Sequence, residues 1–262
     1  MAAKTDGLSL KGLGKRFHGL QALEGVDLEV PGGSVLGLIG PNGSGKTTLF
    51  NLVTGVYAPD SGEVAFEGRS LVGLAAHRIM RQGITRTFQN LRLFQFMTIY
   101  ENVRGARHAG AAAAEAIWLS PAARRAERDA VMGHLDALGL ADRAHDLAAT
   151  LPLADQRRLE LARALAANPR LLLLDEPAGG MTPRETAAMA EAIATHAIPG
   201  RTVILIEHKI DMVAQLCPRL CVLNFGRRIA AGPTAEVLRS PDVLEAYLGP
   251  DPGEEHARHA GG

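Results

Sequence analysis

Cysteine is nearly absent: Cys217 and Cys221 are the only two in 262 residues. Two thiols four positions apart exclude a disulfide scaffold for a chain this long and fit a reducing compartment. No further Cys or His clusters beside them, so they read as small buried residues and not as metal ligands. An excess of either charge is also missing, with Lys+Arg and Asp+Glu both at 28. That removes the global basic bias of a non-specific nucleic-acid binder, and no nucleic-acid partner is expected. Long hydrophobic runs are lacking too. The most apolar stretch, Ala109 to Leu119, carries Glu115. It is shorter than the about 20 residues a bilayer span needs. Met1 to Gly7 has no apolar signal-peptide core. These absences point to a cytosolic chain that can still dock on a membrane protein. No internal repeat is visible, so one copy of one unit is expected.

What is present suits a well-packed domain. Hydrophobic residues make up 47% and charged residues 21%. The length fits one large α/β domain or two small ones. Leu8 to Phe17 and Val26 to Val30 are short alternating runs, and Pro31-Gly32-Gly33 is a turn. Ser34 to Ile39 is a mostly apolar run, the pattern of a strand buried on both faces. Thr48 to Val56 has helical spacing, with Gly55 placed to end the helix. Gly62 to Leu71 alternates like an edge strand. From Glu101 to about Ala149 the chain is rich in Ala, Arg and Glu and predicts a helical insert. Leu171 to Leu174 and Thr202 to Ile206 are again buried apolar runs. Leu220 to Leu223 and Arg228 to Ala231 flank Asn224-Phe225-Gly226 and predict a hairpin. The polar tail from Pro250 to Gly262 has no apolar pattern.

Between the run Ser34 to Ile39 and the helix stands Gly40-Pro41-Asn42-Gly43-Ser44-Gly45-Lys46-Thr47. It matches G-x-x-x-x-G-K-[ST] without departure. Glycines let main-chain N–H groups wrap an anion closely, and the following helix adds its positive N-terminal end. Lys46 is the candidate for the β and γ phosphates and the Thr47 hydroxyl for Mg²⁺, with Thr48 next to it on the helix. Leu171 to Leu174 ends in Asp175-Glu176, at the sheet edge where α/β proteins bind ligands. Asp175 is the candidate Mg²⁺ carboxylate. Glu176 is the candidate base that orients and deprotonates water.

With these motifs in this order, residues Leu8 to Gly249 resemble an ATP-binding subunit of an ABC transporter. The resemblance implies a P-loop (RecA-like) α/β core in a single nucleotide-binding domain, residues 1–249. It adds an antiparallel β subdomain and an inserted helical subdomain at about 96–165. ATP and Mg²⁺ are the implied cofactors. Phe17 falls where the family stacks an aromatic on adenine; its bland alternative is a core Phe. Gln89, in Thr87-Phe88-Gln89-Asn90, matches the loop glutamine that touches Mg²⁺ or the attacking water. His208, after Thr202 to Ile206, matches the histidine that contacts the γ-phosphate. The stretches Gly83 to Phe94, Gln156 to Leu165 and Pro241 to Gly249 look like the branched-chain amino-acid uptake branch, though branches for urea or short amides share much of the pattern. Implied partners are integral membrane permease subunits, a second ABC ATPase subunit and, indirectly, a periplasmic or extracellular solute-binding protein. The implied location is the cytoplasmic face of the membrane. A soluble ABC ATPase with an assembly role, or a small-molecule kinase on the same core, stays open at this point.

One stretch departs from the family. Where Leu-Ser-Gly-Gly-Gln or a near variant stands, this chain reads Leu151-Pro152-Leu153-Ala154-Asp155. Pro152 offers neither hydroxyl nor N–H, Leu153 and Ala154 crowd the backbone, and Asp155 places negative charge near phosphate. Asp155 is also a candidate N-cap for a helix from Gln156. The expectation is a heterodimer with one weakened site; the alternative is a merely divergent stretch with both sites turning over. Ala178 to Thr182 also lacks an Asp common in the family, which carries little weight. Leu91, Leu93, Phe94, Phe96 and Met97, after Gln89, are either subdomain core or lining of a groove for a membrane-subunit helix.

Overall fold

The structure, a computed structural model, describes residues 7–108 and 120–248. Most of Met1 to Gly7, all of Ala109 to Leu119 and the tail from Pro250 lie outside the described residues. The chain runs through β1 (Leu8–Phe17), β2 (Leu20–Val30), β3 (Val35–Ile39), α1 (Lys46–Val53), β4 (Ser61–Phe66) and β5 (Arg69–Ser70). There follow α2 (Ala76–Arg81), β6 (Ile84–Arg86), α3 (Ile99–His108), α4 (Pro121–Ala137), α5 (Leu153–Ala166) and β7 (Leu171–Asp175). The last third holds α6 (Pro183–Ala192), β8 (Thr202–Ile206), α7 (Ile210–Leu216), β9 (Arg219–Asn224), β10 (Arg227–Pro233), α8 (Thr234–Val237) and α9 (Pro241–Leu248).

Two sheets result. One is antiparallel, in the order β2-β1-β4-β5, and the other is six-stranded, in the order β10-β9-β3-β8-β7-β6. Strands β9, β3, β8, β7 and β6 run parallel, with β10 antiparallel at the edge. Every residue of β3, β7 and β8 is buried, which explains their continuous apolar sequence. The pleat divides them between two cores. Leu172, Leu174, Val203 and Leu205 pack toward α3 to α6. Leu171, Leu173, Ile204 and Ile206 pack toward α1 and the antiparallel sheet. Each such side chain stabilises the fold by roughly 1.5–3 kcal/mol relative to exposure. Parallel pairing also brings the carboxyl ends of β3, β6, β7 and β8 to one edge, where the motif residues lie.

Local differences from the sequence reading have physical causes. The segment Gly62 to Leu71 is not one edge strand. It turns at Glu67 (φ 50) and Gly68 (φ 73), and β4 lies between β1 and β5. Helix α1 begins at Lys46 and ends at Val53, with Gly55 at φ 68 just beyond it. Asp155 does not cap α5. Pro152 takes the N-cap position and Asp155 is the third residue of the helix. Phe94, Phe96 and Met97 are not core: Phe96 is 93% exposed, and the other two are about half exposed.

Candidate functional site

The loop between β3 and α1 is shaped by close approaches that only glycine permits. A Cβ on Gly40 (φ 148) would lie 2.0 Å from Leu223 O and 2.7 Å from Ser44 Oγ. On Gly45 (φ 105) it would lie 2.6 Å from Ala22 O. Ser44 is buried, and Asn42, Gly43 and Thr47 are exposed on the loop. Thr48, the next residue of α1, is half-buried. The Lys46 ammonium folds back along the loop and donates to Gly40 O (2.7 Å), Pro41 O (2.8 Å) and Ser44 Oγ (3.3 Å). Burial lowers its pKa, and the charges of Glu176 and Asp175 oppose that shift. A cationic hook therefore stands over the N-terminus of α1, facing two carboxylates.

Glu176 gathers the catalytic candidates. Gln89 Nε2 donates to Glu176 Oε2 at 3.0 Å, and His208 Nε2 lies 3.0 Å from Glu176 Oε1. Glu176 adopts a left-handed backbone (φ 48), pinned by its N–H to Ile206 O and its carbonyl to Gly179 N. Non-glycine residues held this way concentrate at working sites. Asp175, one residue earlier, is 1% exposed, and burial is the main force raising its pKa. Phe17 lies elsewhere, at the end of β1. Its ring meets Tyr57 edge-on at 5.1 Å and Lys15 Nζ at 5.4 Å.

Several supporting residues were not singled out from sequence. On α5, Glu160 Oε1 accepts from Phe88 N (3.0 Å) while Arg157 Nη1 donates to Phe88 O (3.2 Å). Both main-chain polar groups of Phe88, the residue preceding Gln89, are thus held by one helix. Burial raises the Glu160 pKa, against the Phe88 amide and Arg157. The loop after Glu176 is latched from the other side. Glu207 Oε1 accepts from Ala178 N (2.9 Å), and Lys209 Nζ donates to Ala178 O (3.0 Å), Met181 O (2.9 Å) and Thr186 Oγ1 (2.5 Å). The only sequence signal was position: Glu207 and Lys209 flank His208, and Arg157 and Glu160 sit one helical turn apart.

The departing stretch also differs from its expectation. Asp155 is paired with Arg143 (3.2 Å) and Arg158 (3.3 Å), so its charge is compensated where repulsion was expected. Its place in the first turn favours the helix dipole as well. Leu153 is 43% exposed, and its Cδ2 lies 2.8 Å from where a Cβ on Gly180 would stand.

A divalent cation fits these residues only jointly with a ligand of its own. Among the described residues no three His, Cys, Asp or Glu side chains group as a metal cage. Yet Asp175 Oδ1 is buried without a hydrogen-bond partner, an acceptor of the hardness Mg²⁺ takes. One carboxylate, one exposed hydroxyl and the phosphates of a nucleotide make such a set.

A sheet edge with this loop, an acidic strand end and a gathered Glu, Gln and His defines a phosphate-loop nucleoside triphosphatase. The sequence profile described as "ABC transporter" matches residues 23–179, and the chain belongs to that family. It is the ATPase subunit of an ABC transporter, coupling ATP hydrolysis to transport in a complex with permease subunits. The chain is 42% identical over 251 residues to the high-affinity branched-chain amino acid transport ATP-binding protein BraF of Pseudomonas aeruginosa. That alignment covers 92% of this chain and 97% of the relative. It is 40% identical over 250 residues to LivG of Escherichia coli, of the same description, with the same two coverages. Among solved structures it is similar to an ATP-binding cassette of an ABC transporter in its ADP conformation. The TM-score is 0.79 at 31% identity, over 93% of this chain and 98% of that one.

Proposed function

We propose that the chain energises import of branched-chain amino acids or a related small polar solute. The two relatives at 42% and 40% identity, aligned over nearly their full lengths, support that cargo class. The observation that carries the chemistry is the Glu176 carboxylate, with Gln89 on one oxygen and His208 on the other. Residues Gly40 to Thr48 bind the phosphates, with Lys46 exchanging its carbonyl partners for the β and γ oxygens. Phe17 stacks on the adenine. Thr47, Asp175 and Gln89 hold Mg²⁺, which when bound neutralises charge on the phosphates. Glu176 accepts a proton from water that Gln89 orients, and His208 contacts the γ-phosphate.

The partners follow from the surface. Asn102, fully buried, accepts from Phe94 N (2.9 Å) and donates to Phe94 O (2.9 Å), Met97 O (3.4 Å) and Thr98 O (3.0 Å). That knot presents Phe94, Phe96 and Met97 outward beside the Gln89 loop, ready for a permease helix. No helix among the described residues is long and apolar enough to cross a membrane. The chain then works on the cytoplasmic face, beside permease subunits that a solute-binding protein loads. A second, different ATPase subunit completes the dimer, because Pro152 brings neither hydroxyl nor N–H to the partner's phosphate.

Purification with the native permease in vesicles tests the reading. ATPase activity is expected to rise when a binding protein loaded with leucine, isoleucine or valine is added. Stimulation only by a chemically unrelated solute would overturn the cargo. Unchanged turnover after restoring Ser at 152, Gly at 154 and Gln at 155 would remove the heterodimer.

A further inference from the structure

Arg86 ends β6, three residues before Gln89, and its side chain is 5% exposed. Its guanidinium lies against two rings, 5.3 Å from the centroid of Phe50 and 5.2 Å from that of Phe88. Nη1 donates to Asn51 Oδ1 on α1 at 2.6 Å. Nη2 donates to Asp175 Oδ2 at 2.6 Å. The adjacent Thr87 continues the arrangement: its Oγ1 accepts from Asp175 N at 3.0 Å, and its own N–H donates to Leu173 O. Two consecutive residues thus hold the side chain and the main chain of Asp175. They are the last residue of β6 and the first residue after it, on the way into the Gln89 loop.

The consequence for the carboxylate is specific. One oxygen is taken by Arg86, and the other, Oδ1, is buried with no partner. A planar fork between two rings has almost no rotational freedom, so it fixes the carboxylate plane and not only its charge. A lysine keeps the charge but cannot bridge Asn51 and Asp175 in one plane.

We propose that Arg86 is a positioning residue for the divalent cation. It occupies Asp175 Oδ2, leaves Oδ1 as the only oxygen of that carboxylate available to the metal or its water, and ties that orientation to α1 and to the stem of the Gln89 loop. The proposal rests on the reading of Asp175 as the cation's carboxylate.

The test titrates Mn²⁺, read by electron paramagnetic resonance, into the full chain with a non-hydrolysable ATP analogue. Nucleotide affinity in EDTA is measured in parallel. Arg86→Lys is expected to weaken Mn²⁺ binding at least tenfold while nucleotide affinity in EDTA stays within twofold. Asn51→Ala, which loosens one prong, is expected to weaken Mn²⁺ binding about threefold and stands in if Arg86→Lys does not fold. Asp175→Asn separates the two levels. If it weakens Mn²⁺ binding and the Arg86 and Asn51 variants do not, the positioning role is overturned. If Asp175→Asn itself leaves Mn²⁺ binding unchanged, the underlying assignment of Asp175 fails.

Discussion

Glu176 Oε1 and His208 Nε2 meet at 3.0 Å although 32 residues separate them in the chain. The contact joins the end of β7 to the loop after β8, and Gln89 Nε2 closes the group from the loop after β6 at 3.0 Å. Both oxygens of the Glu176 carboxylate are thereby oriented. With Glu176 as the proposed base, catalysis is expected to depend on this convergence and not on Glu176 alone.

Glu176→Gln keeps the shape and loses the basicity. Hydrolysis is expected to fall by about 10²–10⁴-fold. ATP binding should persist, and an ATP-bound dimer should accumulate. Phosphate release and size-exclusion chromatography in ATP measure both. Turnover near the parent rate would show that the base lies elsewhere.

Lys209→Met removes two hydrogen bonds to the loop Ala178 to Met181 and a third to Thr186 on α6. Ala178 O keeps the Met181 N–H, but Met181 O loses its side-chain donor, at an expected cost of about 1–3 kcal/mol. For a chain of this size each kcal/mol lowers Tm by roughly 2–4 °C. Lys209 directly follows His208 and the loop it holds follows Glu176, so kcat is expected to fall more than ATP affinity. Calorimetry and steady-state kinetics check the two effects.

Thr182 and Glu185 form a reciprocal cap on α6. The Thr182 amide, and then its hydroxyl, hold the Glu185 carboxyl below its ordinary pKa. A carboxyl depressed in the folded state stabilises above its unfolded pKa. That contribution is lost as pH falls through the folded value. Thr182→Ala should therefore lower Tm at pH 7 and make less difference near pH 3. Melts across that range test it; an equal loss at both ends would rule out the carboxyl's part.

Cys217 and Cys221 are both buried, and burial pushes each thiol up to about 12. Neither should react with a disulfide reagent at pH 8 in the native protein, because too little thiolate is present and access is closed. Both should react in denaturant. Rapid labelling of native protein would contradict this burial.

What could be read from the sequence was contiguous. Gly40 to Thr47 is a run of neighbours, and Asp175-Glu176 directly follows four leucines. Gln89 and His208 were reached only through family resemblance, because nothing local to either marks a partner. Arg86 escaped notice because Asp175, its partner, lies 89 positions away and an arginine ending a strand looks ordinary. The capping role expected of Asp155 failed for another reason. Pro152 already fits ahead of the first helical turn, so α5 starts before Asp155 is reached. The two arginines that compensate Asp155 come from different distances, Arg158 one turn on and Arg143 from the preceding segment. Only the first of these was visible locally.

The hairpin between β9 and β10 supports the phosphate loop from behind. Gly226 N donates to Ser44 O, while Glu24 N from β2 donates to Gly226 O. Arg227 and Glu24 pair alongside, with Nη2 and Oε1 2.7 Å apart. The anion cradle is therefore framed by both sheets, and its curvature is borrowed from chain more than 170 residues downstream. Excising the antiparallel layer would spoil nucleotide capture without touching any residue of the cradle, so a minimal fragment built around the motif alone would not retain the grip of the intact chain.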